Sequence, residues 1–439
     1  MRSRISLSSS MLLSTLALAA SSVGCSNGDD NAAREPDQVK SELARDTAPS
    51  ATSAEVAALT SANTDFAFDF YRTSAPKLAG QNLFFSPHSI SAALAMTFAG
   101  ARGTTAQEMT KALHFAQAPE TLHSAMNAVD LALSSRGQGE KGADGEPFRL
   151  RVVNSNWANT GTPFEKPFLD TLARNYGAGM YVTDFEREPE PSRTLINQWT
   201  SRQTENRIND LIPKGEISTN TRMVLVNAVY FNAEWFAKFD ANLTAKQDFT
   251  RADGTNQRAD MMTRQTDFTY AETDSYQAVN LLYAGGETSM VVVLPKEGRW
   301  ATFESEFDGS IYRNITSSLA PATVKVSLPK FKIAGESMSL KETLSNLGMP
   351  TPFTGNADFS GILDPSVYPL MLKDVLHKAF VNVDEVGTEA AAATAVIVDK
   401  VSAPREVKVF NANRPFFFFI RDIPTGALLF FGRMTDPQR

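Results

Sequence analysis

The sequence predicts a globular α+β fold, in which large sheets carry helices packed on their faces. Helix signals dominate the first half of the chain, and strand signals dominate the second half. The composition is that of an ordinary globular protein, with 42% hydrophobic and 21% charged residues among 439. From about Glu55 onward there is neither a low-complexity break nor an internal repeat. The sequence therefore predicts a single domain over residues 55–439.

The helices of the first half are predicted from apolar spacing and from capping residues. Residues 56–71 carry an amphipathic pattern. Ser86, which a proline follows, is typical of a helix N-cap, so a helix is predicted through Phe98. Thr105 and Glu108 have the spacing of a capping box, which predicts the start of the next helix.

The strands of the second half are predicted from apolar runs and from alternation. Residues 223–231 are almost continuously apolar, as expected for a strand that is covered on both faces. Residues 278–294 read as a hairpin around two glycines, and residues 324–328 alternate between apolar and polar side chains. Residues 416–421 and 428–433 flank a turn and are predicted to pair.

The N-terminal residues are predicted to be a targeting segment that is separate from the fold. Arg2 and Arg4 precede a short apolar run, Met11–Ala20, which is the pattern of a signal peptide over residues 1–24. The run is too short to span a bilayer as a helix. Residues 25–54 are polar and small, so they are predicted to form a flexible tether.

Cys25 is the only cysteine, which excludes an intrachain disulfide. Its surroundings resemble a bacterial lipobox, in which the cysteine becomes the lipidated first residue. Ser22 stands where an aliphatic residue is usual, so secretion without lipidation stays open. In either case the chain is predicted to be exported, as an outer-envelope lipoprotein or a secreted protein. Membrane contact is expected only through a lipid on Cys25.

The sequence offers little for catalysis. It has four histidines, and it lacks the HExxH, GxSxG and P-loop motifs of metalloproteases, hydrolases and nucleotide-binding proteins. Gly137–Gly142 matches GxGxxG but lies in a polar loop with no strand before it. The net charge of −7 and the absence of a basic stripe argue against nucleic acid as a partner. We therefore predict a protein that is not an enzyme and needs no metal or cofactor.

The stretch EVGTEAAAATAVIV, residues 385–398, is unusual for its position near the end of the chain. As a strand it would place its even-numbered residues on one face and its odd-numbered residues on the other. The even face, from Thr388 to Val398, carries no charge, whereas Glu389 and Asp399 fall on the odd face. Because a buried unpaired charge costs several kcal/mol, this segregation predicts a strand that can be buried on its even face.

Several short motifs follow one another along the chain. They are Asn82–Ser91, Val226–Phe231 with Trp235, Leu328–Phe331, Asn356–Gly361, His377–Ala379, Glu385–Ala393, Arg414–Phe416 and Leu429–Arg433. Each motif is weak by itself, but the ordered set is very specific. With this set the chain resembles the serpins, the serine-protease-inhibitor superfamily, over essentially all of residues 55–439.

The resemblance implies a large, mostly antiparallel central sheet, smaller sheets, about eight or nine helices and an exposed reactive-centre loop. It also implies a suicide-substrate mechanism. A protease cuts the loop and becomes acylated, and the freed loop inserts into the sheet as a new strand. The residues assigned by this resemblance form two sets. The hinge of the loop is Glu385, Gly387, Thr388, Glu389, Ala390, Ala391, Ala392 and Ala393; the residues at which the sheet opens are Ser86, Ser89, Asn227, His377, Trp235 and Lys330.

The bond that the protease attacks is also implied by the resemblance. The scissile residue of the family normally lies fourteen residues after the hinge glycine, which gives Val401–Ser402 when counted from Gly387. A short β-branched side chain suits an elastase-like pocket. Lys400 would instead address a trypsin-like pocket, and this alternative stays open.

The expected partners are serine proteases, with cysteine proteases as a further possibility. The chain is expected to act as a monomer. A non-inhibitory serpin that binds or chaperones other molecules is the alternative function. Such members usually have a bulky or charged residue where Thr388 stands, so the intact hinge favours inhibition. Control by glycosaminoglycans is not expected, because residues 119–135 contain neither lysine nor arginine.

Overall fold

The computed structural model of the protein describes residues 35–388 and 406–438. Within these ranges lie nine α-helices: α1 (Ser53–Ser74), α2 (Pro87–Phe98), α3 (Gly103–Ala112), α4 (Pro119–Ser134), α5 (Lys166–Tyr176), α6 (Pro189–Gln203), α7 (Trp300–Glu306), α8 (Gly309–Ser318) and α9 (Lys341–Asn346). Short 3-10 helices lie at Ala75–Leu78, Ala241–Leu243 and Thr351–Phe353. No helix in the described ranges combines the length and the apolar character needed to cross a bilayer.

The same ranges contain seventeen strands. They are β1 (Gln38–Val39), β2 (Leu83–Phe85), β3 (Arg149–Asn159), β4 (Met180–Thr183), β5 (Met223–Glu234), β6 (Ala245–Thr250), β7 (Asn256–Glu272), β8 (Tyr276–Leu282), β9 (Thr288–Pro295), β10 (Ala320–Pro329), β11 (Phe331–Ala334), β12 (Met338–Ser339), β13 (Val375–Val383), β14 (Gly387–Thr388), β15 (Lys408–Asn411), β16 (Phe416–Asp422) and β17 (Leu428–Met434).

The strands form two large sheets. Sheet A has the order β1-β4-β3-β5-β14-β13-β11, with β12 beside β13. Sheet B has the order β15-β10-β7-β8-β9-β16-β17-β2, with β6 beside β7. Most pairs are antiparallel, and the exceptions among the described strands are β3–β4, β5–β13 and β10–β15. The predicted α+β fold with helices packed on large sheets is confirmed.

Strand β5 is buried on both faces, as its apolar sequence predicts. Leu225, Val229 and Phe231 belong to the main core, which lies between the two sheets and includes α1 and α2. Val226 and Ala228 belong to a second cluster, in which tryptophan and isoleucine side chains of α6 cover the opposite face of sheet A. The alternation of side chains along a strand therefore divides β5 between two cores.

The helix starts were predicted with mixed success. Ser86 caps α2 as predicted, because its Oγ accepts the N–H of Ser89 at 3.2 Å. The capping box at Thr105 and Glu108 is wrong, because α3 already begins at Gly103. Thr105 Oγ1 accepts the N–H of Asp358 instead, and the Glu108 carboxylate accepts the N–H of Thr351, both at 2.8 Å. Long-range hydrogen bonds therefore occupy the two side chains that the local spacing had assigned to a helix cap.

The predicted tether is ordered in its second half. The chain forms a compact unit from Pro36 onward, and β1 pairs with the edge strand β4 of sheet A. Arg45 then donates to Asn127 Oδ1 of α4 at 2.9 Å and pairs with Asp130 at 2.5 Å. The domain therefore begins near residue 36 rather than at 55. Composition could not predict this because the segment is held by hydrogen bonds and ion pairs, not by apolar burial.

We expect Arg45→Ala to lower the melting temperature by a few degrees. The substitution removes an ion pair and leaves the buried Asn127 Oδ1 without its donor, a loss of about 1–2 kcal/mol. Differential scanning calorimetry measures the change. Arg187→Ala is the matched control, because that side chain is 87% exposed and its ion pair with Asp184 is 3.9 Å long. Equal melting temperatures for the two variants would contradict a stabilising role for the docked segment.

Candidate functional site

Sheet A contains a seam, which we define as the boundary between β5 and β13. Along its lower part the two strands pair directly and in parallel, from Leu225 opposite Val375 to Tyr230 opposite Phe380. At the other end of the seam, near Ala233 and Val383, β14 lies between the two strands and pairs antiparallel with both. We call this end the mouth of the seam. The chain leaves β13 at Val383, turns through residues 384–386 and re-enters the sheet as β14. The two residues of β14 therefore act as a wedge at the mouth of the seam.

Gly387 occupies a position in this wedge that has no room for a side chain. A Cβ there would overlap the carbonyl oxygen of Ala233 and lie 2.8 Å from the Cα of Glu234. It would also lie 2.9 Å from the Cβ of Ala143. The glycine is needed because the backbone of β5 approaches closely, not because of an unusual φ angle.

Thr388 is fully buried, and its side chain points towards the main core. It lies opposite Ala233 of β5 and Val383 of β13. Its Oγ1 is 2.7 Å from the hydroxyl oxygen of Tyr283, another fully buried residue. Burial raises the pKa of Tyr283, so the phenol stays neutral and shares a neutral hydrogen bond with the threonine.

The turn before the wedge is held by Glu385, which is only 7% exposed. Its carboxylate accepts from Lys330 Nζ and from Thr244 Oγ1, both at 2.7 Å. Burial by itself would raise the pKa of Glu385, but the hydrogen bonds from Lys330 and Thr244 outweigh it and the pKa is lowered. The carboxylate is therefore charged and paired at neutral pH.

Trp235 joins the end of β5 to the same turn. Its Nε1 donates to the carbonyl of Asp384 at 2.9 Å, and its backbone N–H donates to the carbonyl of Val386 at 2.8 Å. The indole stacks on Tyr283 with ring centroids 4.5 Å apart. Trp235 thus fixes the place where the chain turns into the seam.

A polar cluster lies under the directly paired part of the seam. His377 of β13 faces Asn227 of β5, and His377 Nδ1 is hydrogen-bonded to Asn227 Oδ1. The Asn227 amide nitrogen donates to Ser89 Oγ and to Asn154 Oδ1. On the other side of the ring, His377 Nε2 accepts the backbone N–H of Ser86 at 3.1 Å. This cluster links both strands of the seam to the first turn of α2.

The contacts of His377 assign its tautomer. Because Nε2 accepts a backbone N–H, the ring proton is on Nδ1 and is donated to Asn227. Burial lowers the pKa of His377 to about 3, so the ring is neutral at physiological pH. Direct pairing of β5 with β13 is therefore reinforced by a side-chain hydrogen bond that a strand inserted between them would break.

A family model described as serpin (serine protease inhibitor) matches residues 61–437. The chain belongs to the serpin family. An uncharacterized serpin-like protein of Thermococcus kodakarensis is 39% identical over 378 residues, which cover 85% of this chain and 84% of that protein. The leukocyte elastase inhibitor of Xenopus tropicalis is 37% identical over 387 residues, covering 86% of this chain and 99% of that protein.

The fold is also that of solved serpins. The native crystal structure of the thermophilic serpin tengpin matches with a TM-score of 0.80 at 27% identity, covering 92% of this chain and all of that one. The serpin fold predicted by resemblance is thus confirmed, with helices and two large sheets of mixed strand orientation.

The structure brings the sequence-predicted site residues together in two places. Ser86, Ser89, Asn227 and His377 form the polar cluster. Trp235, Lys330, Glu385, Gly387 and Thr388 meet at the mouth of the seam. The residues that lie outside the described ranges are Cys25, Glu389, Ala390, Ala391, Ala392, Ala393, Lys400, Val401 and Ser402.

Three members of these clusters were not predicted from the sequence. Asn154 of β3 accepts from Asn227 and from Ser89 Oγ, the latter at 2.9 Å. Thr244 binds Glu385, and Tyr283 binds Thr388. The only sequence signal was the run of polar residues around Asn154 inside a strand. Thr244 and Tyr283 reach the site from distant elements, so no local pattern could identify them.

We expect the melting temperature of this serpin to fall as the pH is lowered from 7.5 to 5.0. The pKa of His377 is about 3 in the fold against 6.5 unfolded, so the unfolded chain binds a proton that the folded chain does not. Stability from this residue is complete above pH 6.5 and declines below it, by about 2 kcal/mol at pH 5.

Calorimetry of the wild type and of His377→Gln at pH 7.5 and 5.0 tests this prediction. Burial also lowers the pKa of His123, to about 4, and the pKa of His88. Part of the fall in melting temperature between pH 7.5 and 5.0 should therefore remain in His377→Gln. The decline in His377→Gln should still be smaller than in the wild type. Equal declines would show that His377 is protonated in the folded state. Between pH 7.5 and 8.5 the difference between the two proteins should stay constant.

Proposed function

We propose that this serpin is a suicide-substrate inhibitor of serine endopeptidases, which it traps as covalent acyl complexes. The observation that carries the proposal is the wedge of Gly387 and Thr388 between β5 and β13. The chain continues from this wedge into residues 389–405, which the sequence predicts to contain the reactive-centre loop. A cut in that loop would free its hinge end to extend the wedge along the seam.

The register of the wedge supports this extension. Thr388 lies opposite Ala233 and Val383, so an antiparallel continuation would place residues 391–396 between residues 225–230 and 375–380. These are the residues that now pair directly across the seam. The inserted strand would replace the parallel pairing of β5 with β13 by two antiparallel pairings, one with each of these strands.

The face that would enter the core is uncharged. Thr388 points towards the main core, and the residues that share its face are Ala390, Ala392, Thr394, Val396 and Val398. In the same register Thr394 would come to lie between Asn227 and His377. Its hydroxyl group has both a donor and an acceptor, which can replace the hydrogen bond that the new strand breaks.

The bait bond is proposed to be Val401–Ser402, with elastase-like proteases as the targets. The short side chain of Val401 fits a shallow apolar pocket. The named relative from Xenopus tropicalis, a leukocyte elastase inhibitor, supports the same class of target. Lys400 and trypsin-like proteases are the alternative, and cysteine proteases can also form the acyl intermediate that the mechanism needs.

The protein is further proposed to work outside the cytoplasm as a monomer. The signal-peptide pattern of residues 1–24 supports export, and the lipobox-like position of Cys25 supports a lipid anchor on the envelope. Metabolic labelling with a radioactive fatty acid tests the anchor, with Cys25→Ala as the control. Label in the wild type that is lost in the variant is expected, and label in neither would mean that Cys25 is not lipidated.

Incubation of the serpin with pancreatic elastase or with trypsin, followed by a denaturing gel, tests inhibition. We expect a band at the summed mass of serpin and elastase less the mass of the C-terminal peptide, which is released and begins at Ser402. A peptide that begins at Val401 would assign the bait to Lys400. Val401→Arg should shift complex formation towards trypsin. Cleavage by both enzymes without a surviving complex would favour a non-inhibitory binding serpin.

A further inference from the structure

A cavity of about 310 Å³ is lined in part by Trp235, one of the residues at the mouth of the seam. The rest of its lining comes from Phe236, Ala237 and Phe239, from Asp267–Thr269 of β7, from Asn280–Leu282 of β8 and from Pro321 of β10. The volume is within the range of small-molecule sites, roughly 300–1,000 Å³. None of the proposed steps of inhibition uses this cavity.

The lining is mostly apolar. Trp235, Phe239 and Leu281 are buried, and Phe268 and Leu282 are half-buried. Phe236 is 71% exposed, although it is a large aromatic residue next to buried ones. An exposed aromatic side chain at the rim of an apolar cavity is typical of a binding site rather than of a structural packing defect.

One buried polar side chain lines this apolar cavity. Asn280 is 6% exposed, and among the described residues its Oδ1 has no hydrogen-bond partner. A buried carboxamide oxygen without a donor is unfavourable, because it has lost its hydrogen bonds to water, so it is usually satisfied. A ligand that donates a hydrogen bond to Asn280 while filling the apolar space would remove this penalty.

The rim restricts the charge of such a ligand. The Asp267 carboxylate lies at the rim, where it accepts a hydrogen bond from Thr323 Oγ1 at 2.7 Å. No lysine or arginine lines the cavity among the described residues. A neutral molecule therefore fits better than an anion.

We propose that this cavity is a binding site for a small, neutral aromatic molecule that carries a hydroxyl or N–H donor for the Asn280 carboxamide. The ring system packs against the apolar part of the lining. The proposal is independent of inhibition, because binding is measured on the intact serpin without a protease.

The probe is 2-naphthol, and its matched partner is 2-methoxynaphthalene, which has the same rings but no donor. Isothermal titration calorimetry should show saturable binding of 2-naphthol with a dissociation constant on the order of 0.1 mM. We expect 2-methoxynaphthalene to bind about tenfold more weakly. In Asn280→Leu the two probes should bind with similar affinity. The variant lacks the acceptor, so the hydroxyl group of 2-naphthol no longer gives that probe an advantage.

Two tryptophan substitutions locate the site. Ala237→Trp fills the cavity and should abolish binding of 2-naphthol. Ala301→Trp, on the exposed side of α7, is the matched control and should leave binding unchanged. If Ala237→Trp does not fold, the comparison of the two probes on Asn280→Leu still decides the question.

Three outcomes would overturn the proposal. The first is no saturable binding of 2-naphthol to the wild type, and the second is equal binding by the wild type and Ala237→Trp. The third is binding that appears only after the segment 389–405 has been cut, which would mean that the chain's own segment fills the cavity.

Discussion

On the inhibitory mechanism proposed above, Thr388→Arg is expected to abolish the covalent complex with the target protease and to turn the serpin into a substrate. Thr388 is fully buried between β5 and β13, and its Oγ1 is hydrogen-bonded to a buried tyrosine. An arginine there would have to bury an unpaired charge, at a cost of several kcal/mol, so the hinge of the uncut variant is expected to stay outside the seam. Insertion after the cut must then bear this cost. Insertion would then be slower than hydrolysis of the acyl-enzyme.

We expect the ratio of complex to cleaved serpin to fall at least about 100-fold, since each 1.4 kcal/mol changes a rate ratio tenfold. Densitometry of denaturing gels over a series of protease-to-serpin ratios measures this partition. Glu389→Arg is the matched control, because the neighbouring position already carries a charge and belongs to the opposite face. Retained complex formation by Thr388→Arg would contradict the burial argument.

Cutting the predicted loop at the proposed bait bond is expected to raise the melting temperature of the wild-type serpin by about 20 °C. Extension of the wedge replaces six direct β5–β13 pairs with pairing on both sides of a new strand. A net gain of about ten backbone hydrogen bonds at ~1 kcal/mol each gives about 10 kcal/mol. At about 2 °C per kcal/mol this corresponds to the stated rise.

Scanning calorimetry before and after limited proteolysis measures the effect, and N-terminal sequencing confirms the position of the cut. Cleaved Thr388→Arg is the control and should show a much smaller rise, because its hinge is not expected to enter the seam. Equal melting temperatures for intact and cleaved wild type would mean that the seam does not accept a strand. The serpin would then be of the non-inhibitory kind.

Local patterns predicted those elements whose residues act on their near neighbours. The N-cap at Ser86, the doubly buried β5 and the two hairpins of sheet B needed only capping chemistry and side-chain period. The same reasoning failed at Thr105 and Glu108, whose side chains bind backbone from a segment about 250 residues away. It also failed for residues 36–52, because long-range hydrogen bonds order a segment whose composition favours disorder.

The sequence by itself determined the class of fold, the family motifs and the uncharged face of the 385–398 stretch. Those are properties of residue type and spacing, which the chain carries before it folds. Only the tertiary structure decided which strands part and what holds them, because β5 and β13 are about 150 residues apart in the chain. The same is true of the partners of Asn227, His377 and Glu385, which come from separate helices, strands and turns. Contacts of that kind depend on topology, and no local period encodes them.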